Sequence, residues 1–197
     1  MKFIKRILAL LIVASLLIIS MGVLWRVRQE PLASEEVTRA VGIPYTIDSI
    51  PISNKRPGTK RQIRYIVIHN TANPDSTARN ERDYLTNPNN ASNTSFHIVV
   101  DENEIIEAIP VTELAFHAGT REGNEKGIGI EICETGNQQK TEENATRLIA
   151  YLMKTYNIPL ERVITHKDCS GKECPRLILN HWGHFTESIN ETYKDMK

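Results

Sequence analysis

The chain has 197 residues, with 24 Lys+Arg against 24 Asp+Glu, and three cysteines. That length suits one domain with appendages, because domains run about 100–200 residues. Balanced charge gives no whole-molecule electrostatic case for a nucleic-acid partner, and three cysteines match neither a dense disulfide framework nor a four-cysteine zinc module.

Lys2, Lys5 and Arg6 precede an uncharged apolar run from Ile7 to Trp25. At about 1.5 Å per residue, a helix of that length crosses a hydrocarbon core of about 30 Å. The run is apolar all the way round, unlike a soluble surface helix. It ends MGVLWRVR, without the small-x-small pattern of a cleavage site, and Trp25 falls where an amphipathic ring favours the membrane interface. Residues 1–28 are therefore predicted to be an uncleaved, single-pass membrane anchor, with a cleaved secretion signal as the alternative. Three basic residues before the run, against Arg26 and Arg28 after it, put the N-terminus inside and the rest of the chain outside the cytoplasm. No lipobox-type cysteine lies nearby.

Residues 29–60 are polar and punctuated by Pro31, Pro44, Pro51 and Pro57, which predicts a tether with some extended pieces lying on the domain. RYIVIHNT (64–71) is a β-branched run that predicts a buried strand ending at His69. NERDYLTN (80–87) predicts a short helix stopped by Pro88, and TSFHIVVDENEIIEAIP (94–110) two strands joined by a turn at Asp101–Asn103. GIGIEICE (127–134) predicts another strand. TEENATRLIAYLMKTYN (141–157) predicts a helix capped by Thr141, with Leu148, Ile149, Leu152 and Met153 at helical spacing. ERVITHKD (161–168) predicts a short strand running into a loop, and residues 181–197 belong to a terminal helix. Strands and helices alternate irregularly, which predicts one α/β domain over residues 61–180, a central mixed sheet flanked by helices.

The chemistry concentrates in THKDCSGKECP (165–175), where His166 and Cys174 lie eight residues apart with Lys172 between them. His69 ends the RYIVIH strand. Two imidazoles and one thiolate make a three-ligand zinc site with the open fourth position that catalysis needs. Zinc lowers the pKa of a bound water to about 7 and polarises a carbonyl, as amide hydrolysis requires. Singly these residues say little: a lone His is commonly structural, a lone Cys is commonly a small buried hydrophobe, and Glu131 at a strand end reads equally well as a solvated charge.

Taken together, YIVIHNTA, SFHIVVDENEIIEAIP, FHAGT, GIGIEICE and THKDCSGKECPRLIL, in that order and spacing, resemble the type-2 N-acetylmuramoyl-L-alanine amidases. That family includes phage endolysins and bacterial autolysins and is related to the peptidoglycan-recognition proteins. The resemblance covers roughly residues 60–180. It implies one zinc ion per chain held by His69, His166 and Cys174, Lys172 near the developing oxyanion, and Glu131 as general base on the attacking water. It implies peptidoglycan as substrate, cut between the muramoyl group and L-alanine. The chain is expected to act as a monomer, held to the membrane through the apolar N-terminal run.

Some members of that family carry a tyrosine where this chain has Phe96, so a catalytic hydroxyl is absent at that position. Cys133 and Cys169 either pair or stay free. His97 is expected to pack or hydrogen-bond within the sheet, His117 to line the substrate groove rather than bind metal, and His181 and His184 to lie on the surface. The rival functions are a non-catalytic peptidoglycan-recognition module, disfavoured by the presence of Cys174, and a different metallohydrolase such as a peptidase.

Overall fold

The structure is a computed structural model that describes residues 30–196 together with Ser15. The predicted anchor, residues 1–28, therefore lies outside the described residues but for that one position. Among the described residues no helix is long and apolar enough to cross a membrane.

In chain order the elements are α1 (Ser34–Val41), β1 (Tyr45–Ile47), β2 (Tyr65–Asn70), α2 (Ala78–Thr86), β3 (Ile98–Val100), β4 (Ile105–Glu107), α3 (Arg121–Lys126), β5 (Gly127–Ile132), α4 (Gln138–Tyr156), β6 (Val163–Thr165), α5 (His166–Ser170) and α6 (Trp182–Asp195). The six strands form one sheet in the order β1-β4-β3-β5-β2-β6. β3, β5, β2 and β6 are mutually parallel, β4 runs antiparallel to β3, and β1 runs parallel to β4. This is the mixed sheet expected of the sequence.

Side chains alternate across a strand, so the sheet has two distinct faces. Ile66, Ile68, Ile98, Val100, Ile128, Ile130 and Ile132 point one way. They share a core with Leu148, Ile149 and Leu152 of α4, Phe185 and Ile189 of α6, and Val37 and Val41 of α1. On the other face Val99 and Ile106 pack with Phe96, Ile50 and with Ala78 and Leu85 of α2. The rest of that second face belongs to Val67, His69, Gly127, Gly129 and Glu131, and it carries the polar site described below.

Residues 29–60, expected to be a tether, are part of the domain from Pro31 onward. Leu32, Val37 and Val41 are buried, and β1 adds an edge strand to the sheet, with Tyr45 aligned to Ile105. The Tyr45 hydroxyl donates to Glu107 Oε2 at 2.7 Å. An amphipathic turn pattern of only two buried positions was too short to stand out against four prolines. Helix α4 also begins earlier than expected. Asn137 caps it, accepting from Lys140 N at 3.1 Å, while Thr141 is buried one turn inside. After β6 the chain enters the five-residue α5 rather than a loop, because Thr165 and Asp168 form a capping box.

Candidate metal and catalytic site

Four parallel strands deliver their C-terminal ends to one edge of the second face, and the site is built there. In β2, Ile66 and Ile68 occupy the helical core, so the next side chain, His69, is turned to the opposite face. The register places His69 directly beside Glu131 of β5, and Glu131 beside Val99 of β3. His166 follows the last residue of β6 and is the first residue of α5, whose cap fixes the direction of entry: Thr165 Oγ1 accepts from Asp168 N at 3.1 Å, and Asp168 Oδ2 accepts from Thr165 N at 2.8 Å. Gly171, at φ 79°, ends α5 in the left-handed region that favours glycine. The chain then doubles back to Cys174. Its carbonyl accepts from Lys167 N at 3.0 Å, and Asn70 Oδ1 accepts from Leu177 N at 3.0 Å, which ties the segment to the end of β2.

His69, His166 and Cys174 are all buried, and their donor atoms lie within 4.8 Å of one another. His69 Nδ1 is 3.0 Å from His166 Nδ1 and 3.8 Å from Cys174 Sγ. Tetrahedral zinc with bonds of roughly 2.0–2.1 Å to nitrogen and 2.3 Å to sulfur needs separations of roughly 3.3 Å between nitrogens and 3.6 Å from nitrogen to sulfur. The donor set and its spacing therefore fit zinc. Burial pushes the Cys174 thiol up to about 11, with Glu131 raising it further against the lowering effect of Lys172. Burial and the neighbouring His117, His166 and Lys172 hold His69 well below the ordinary imidazole range. A neutral imidazole is the form that ligates metal, and a thiolate in this setting calls for a compensating cation.

Glu131 has one carboxylate oxygen, Oε2, out of solvent and without a hydrogen-bond partner among the described residues. Burial, reinforced by Glu81, raises its pKa to about 8, while Lys172 lowers it. Lys172 is exposed and forms no ion pair among the described residues. It lines an open cleft of about 620 Å³ together with His166, His117, Phe116, Asn93 and Asn124. The five residues singled out by the sequence thus meet at one edge of one sheet face.

The remaining histidines fall in three settings. His97 immediately precedes β3 and bonds to β5: its Nδ1 accepts from Gly129 N at 2.9 Å and its Nε2 donates to Glu113 O at 2.9 Å. His117 lines the cleft, and its loop is held by Asn124 Oδ1, which accepts from the backbone of His117 and Ala118. Burial and Arg61 hold the His117 ring neutral, with a pKa of about 3. His181 and His184 are exposed. Phe96 is buried in the second core cluster, and Cys133, Cys169 and Cys174 are all free thiols. Asn70, Asn124 and Arg61 were not singled out by the sequence. No local pattern marks them, because each bonds to the backbone of another segment: Asn70 to Leu177, Asn124 to His117 and Arg61 to Glu113.

The family model of the N-acetylmuramoyl-L-alanine amidases matches residues 59–177. The chain is 44% identical over 153 residues to the N-acetylmuramoyl-L-alanine amidase CwlH of Bacillus subtilis, a match covering 74% of this chain and 60% of that protein. It is 44% identical over 149 residues to XlyA of the same species, covering 72% of this chain and 50% of that protein. The chain thus spans about half to three fifths of the length of these curated relatives. Its fold matches the catalytic domain of XlyA with a TM-score of 0.71 at 42% identity, over 75% of this chain and 99% of that one.

Proposed function

Since the chain belongs to the type-2 N-acetylmuramoyl-L-alanine amidase family, we propose that it hydrolyses the amide bond between N-acetylmuramoyl groups and L-alanine in peptidoglycan, with one zinc ion held by His69, His166 and Cys174. The observation that carries this reading is the buried cluster of two imidazoles and one thiol, opening onto a cleft that also presents Lys172.

Zinc in such a site supplies Lewis-acid polarisation of the amide carbonyl and acidifies water. The chain's own groups do the rest. Glu131, in register with His69 and with one carboxylate oxygen that has no hydrogen-bond partner among the described residues, takes a proton from the attacking water and hands it to the leaving amine nitrogen. Burial raises its pKa and so makes it a stronger base, while Lys172 acts the other way and favours the ionised form that accepts the proton. The Lys172 ammonium, at the cleft wall, stabilises negative charge on the carbonyl oxygen as the tetrahedral centre forms. Phe96 has no hydroxyl and is buried in the core, so proton transfer rests on Glu131.

Purified peptidoglycan digested by the full chain tests the proposal. Release of new L-alanine amino ends, lost together with bound zinc in Cys174→Ala, is the expected result. Bound zinc and retained peptidoglycan binding without any release would turn the reading to a recognition module.

The Ile7–Trp25 run supports a second element of the proposal: the catalytic domain is held outside the cytoplasm by an uncleaved helix. Membrane fractionation with N-terminal sequencing of the mature chain tests it, and a new terminus between Ser20 and Ser34 would show secretion instead.

A further inference from the structure

A file of buried rings runs away from the metal cluster into the sheet. His69 Nε2 lies 3.1 Å from His117 Nδ1, and His117 Nε2 lies 3.0 Å from the backbone carbonyl of Gly127. Each contact is between atoms that must divide one proton, so the pattern fixes where every proton sits.

A carbonyl oxygen only accepts. His117 Nε2 therefore carries the hydrogen and donates to Gly127 O. The ring is buried, and among the described residues its nitrogens meet only His69 and the Gly127 carbonyl, with no carboxylate to hold a second proton, so Nδ1 is bare and accepts. What it accepts is the Nε2–H of His69, which leaves His69 Nδ1 as a lone pair. That lone pair faces His166 Nδ1 and Cys174 Sγ. We propose that His117, anchored on the Gly127 carbonyl, is the positioning residue that sets the tautomer and orientation of His69 for zinc. It touches neither metal nor substrate through this role and acts through His69. The inference rests on the zinc-site reading above.

The sheet is shaped for this ring. A Cβ built on Gly129 would lie 2.5 Å from His117 Cγ and 2.7 Å from His117 Nδ1, inside any tolerable contact. Every substituent larger than hydrogen at residue 129 therefore displaces the ring from its bond to His69. The loop side is pinned as well, by Asn124 Oδ1 accepting from His117 N at 2.9 Å. A ring merely filling space would need neither the glycine floor nor two in-line nitrogens.

The test compares zinc affinity of the full chain, measured by competition with a chromophoric chelator, across variants at fixed pH. His117→Phe keeps the ring volume but has no acceptor, and is expected to bind zinc about 10- to 100-fold more weakly, the usual cost of losing an outer-shell partner. His117→Asn places an acceptor oxygen near the position of Nδ1 and is expected to recover most of that loss. Independently, 15N spectra of histidine-labelled parent protein are expected to show His69 protonated at Nε2, with and without zinc. Equal zinc affinity in the parent and His117→Phe, or a His69 ring protonated at Nδ1 in the metal-free parent, overturns the proposal. If His117→Phe fails to fold, the parent spectrum decides alone. A parent that binds no zinc, or binds it equally well after Cys174→Ala, would defeat the zinc-site reading itself, an outcome distinct from a zinc-binding parent indifferent to His117.

Discussion

Glu131 and His69 stand in register on neighbouring parallel strands, so their separation is set by backbone hydrogen bonding rather than by loop position. Glu131→Gln keeps the shape of the side chain but cannot accept a proton. The rate of L-alanine end release is expected to fall on the order of 100- to 10,000-fold, the usual range for a general base, with zinc content unchanged. Lys172→Met is expected to slow release by about 100- to 1,000-fold, as for loss of one oxyanion donor. The two variants separate by pH. Lys172 lowers the Glu131 pKa, so removing it should move the acidic limb of the rate profile to higher pH, whereas Glu131→Gln should erase that limb. An unchanged rate in Glu131→Gln would remove the residue from the mechanism. At this scale the sequence was most informative about the residues of the His69, His166 and Cys174 cluster, because His and Cys carry distinctive chemistry within a distinctive context. It was least informative about the contacts of His117, whose partners are a backbone carbonyl, which no side-chain pattern marks, and an imidazole 48 residues away in the chain.

The long elements with strong periodicity, β2, β5 and α4, were legible in the sequence because each buries a continuous apolar stripe. The short ones were not. β1 has three residues and only one of them buried, and α3 has six with only Gly123 buried, so neither produces a period. Their place is set by tertiary contact: β1 by pairing with β4, and α3 by the Thr120 cap, whose Oγ1 accepts from Gly123 N. This gives a test of the segment once expected to be a tether. Leu32, Val37, Val41 and Tyr45 are all buried, and complete burial of one aliphatic side chain stabilises by about 1.5–3 kcal/mol as an upper bound. A chain starting at Asp48 is expected to be several kcal/mol less stable to denaturant than one starting at Glu30. None of the lost residues lines the cleft, so its folded fraction should keep zinc. Equal denaturation midpoints would show that the segment adds nothing to the domain.

The domain as a whole carries a stability cost at its reactive edge. In the metal-stripped protein, Glu131 is raised by burial from 4.5 to about 8 in the folded chain. A raised folded pKa means that stability is fully present below about 4.5 and drains away as pH rises through about 8. Metal-stripped Glu131→Gln, which has no proton to lose, is therefore expected to be more stable than the metal-stripped parent, by a margin that widens from pH 5 to pH 9 and reaches a few kcal/mol. Urea denaturation of both proteins across that range measures it, and a margin independent of pH would refute the raised pKa. The three thiols also form a graded set. Cys169 is half-buried beside Gly123, Cys174 is buried in the cluster with His69 and His166, and Cys133 is fully buried in the second core. A thiol-reactive dye should accordingly count one group in the zinc-loaded protein, two after chelation and three after unfolding. One optical titration would then report site occupancy and foldedness on the same scale, with no label introduced into the chain.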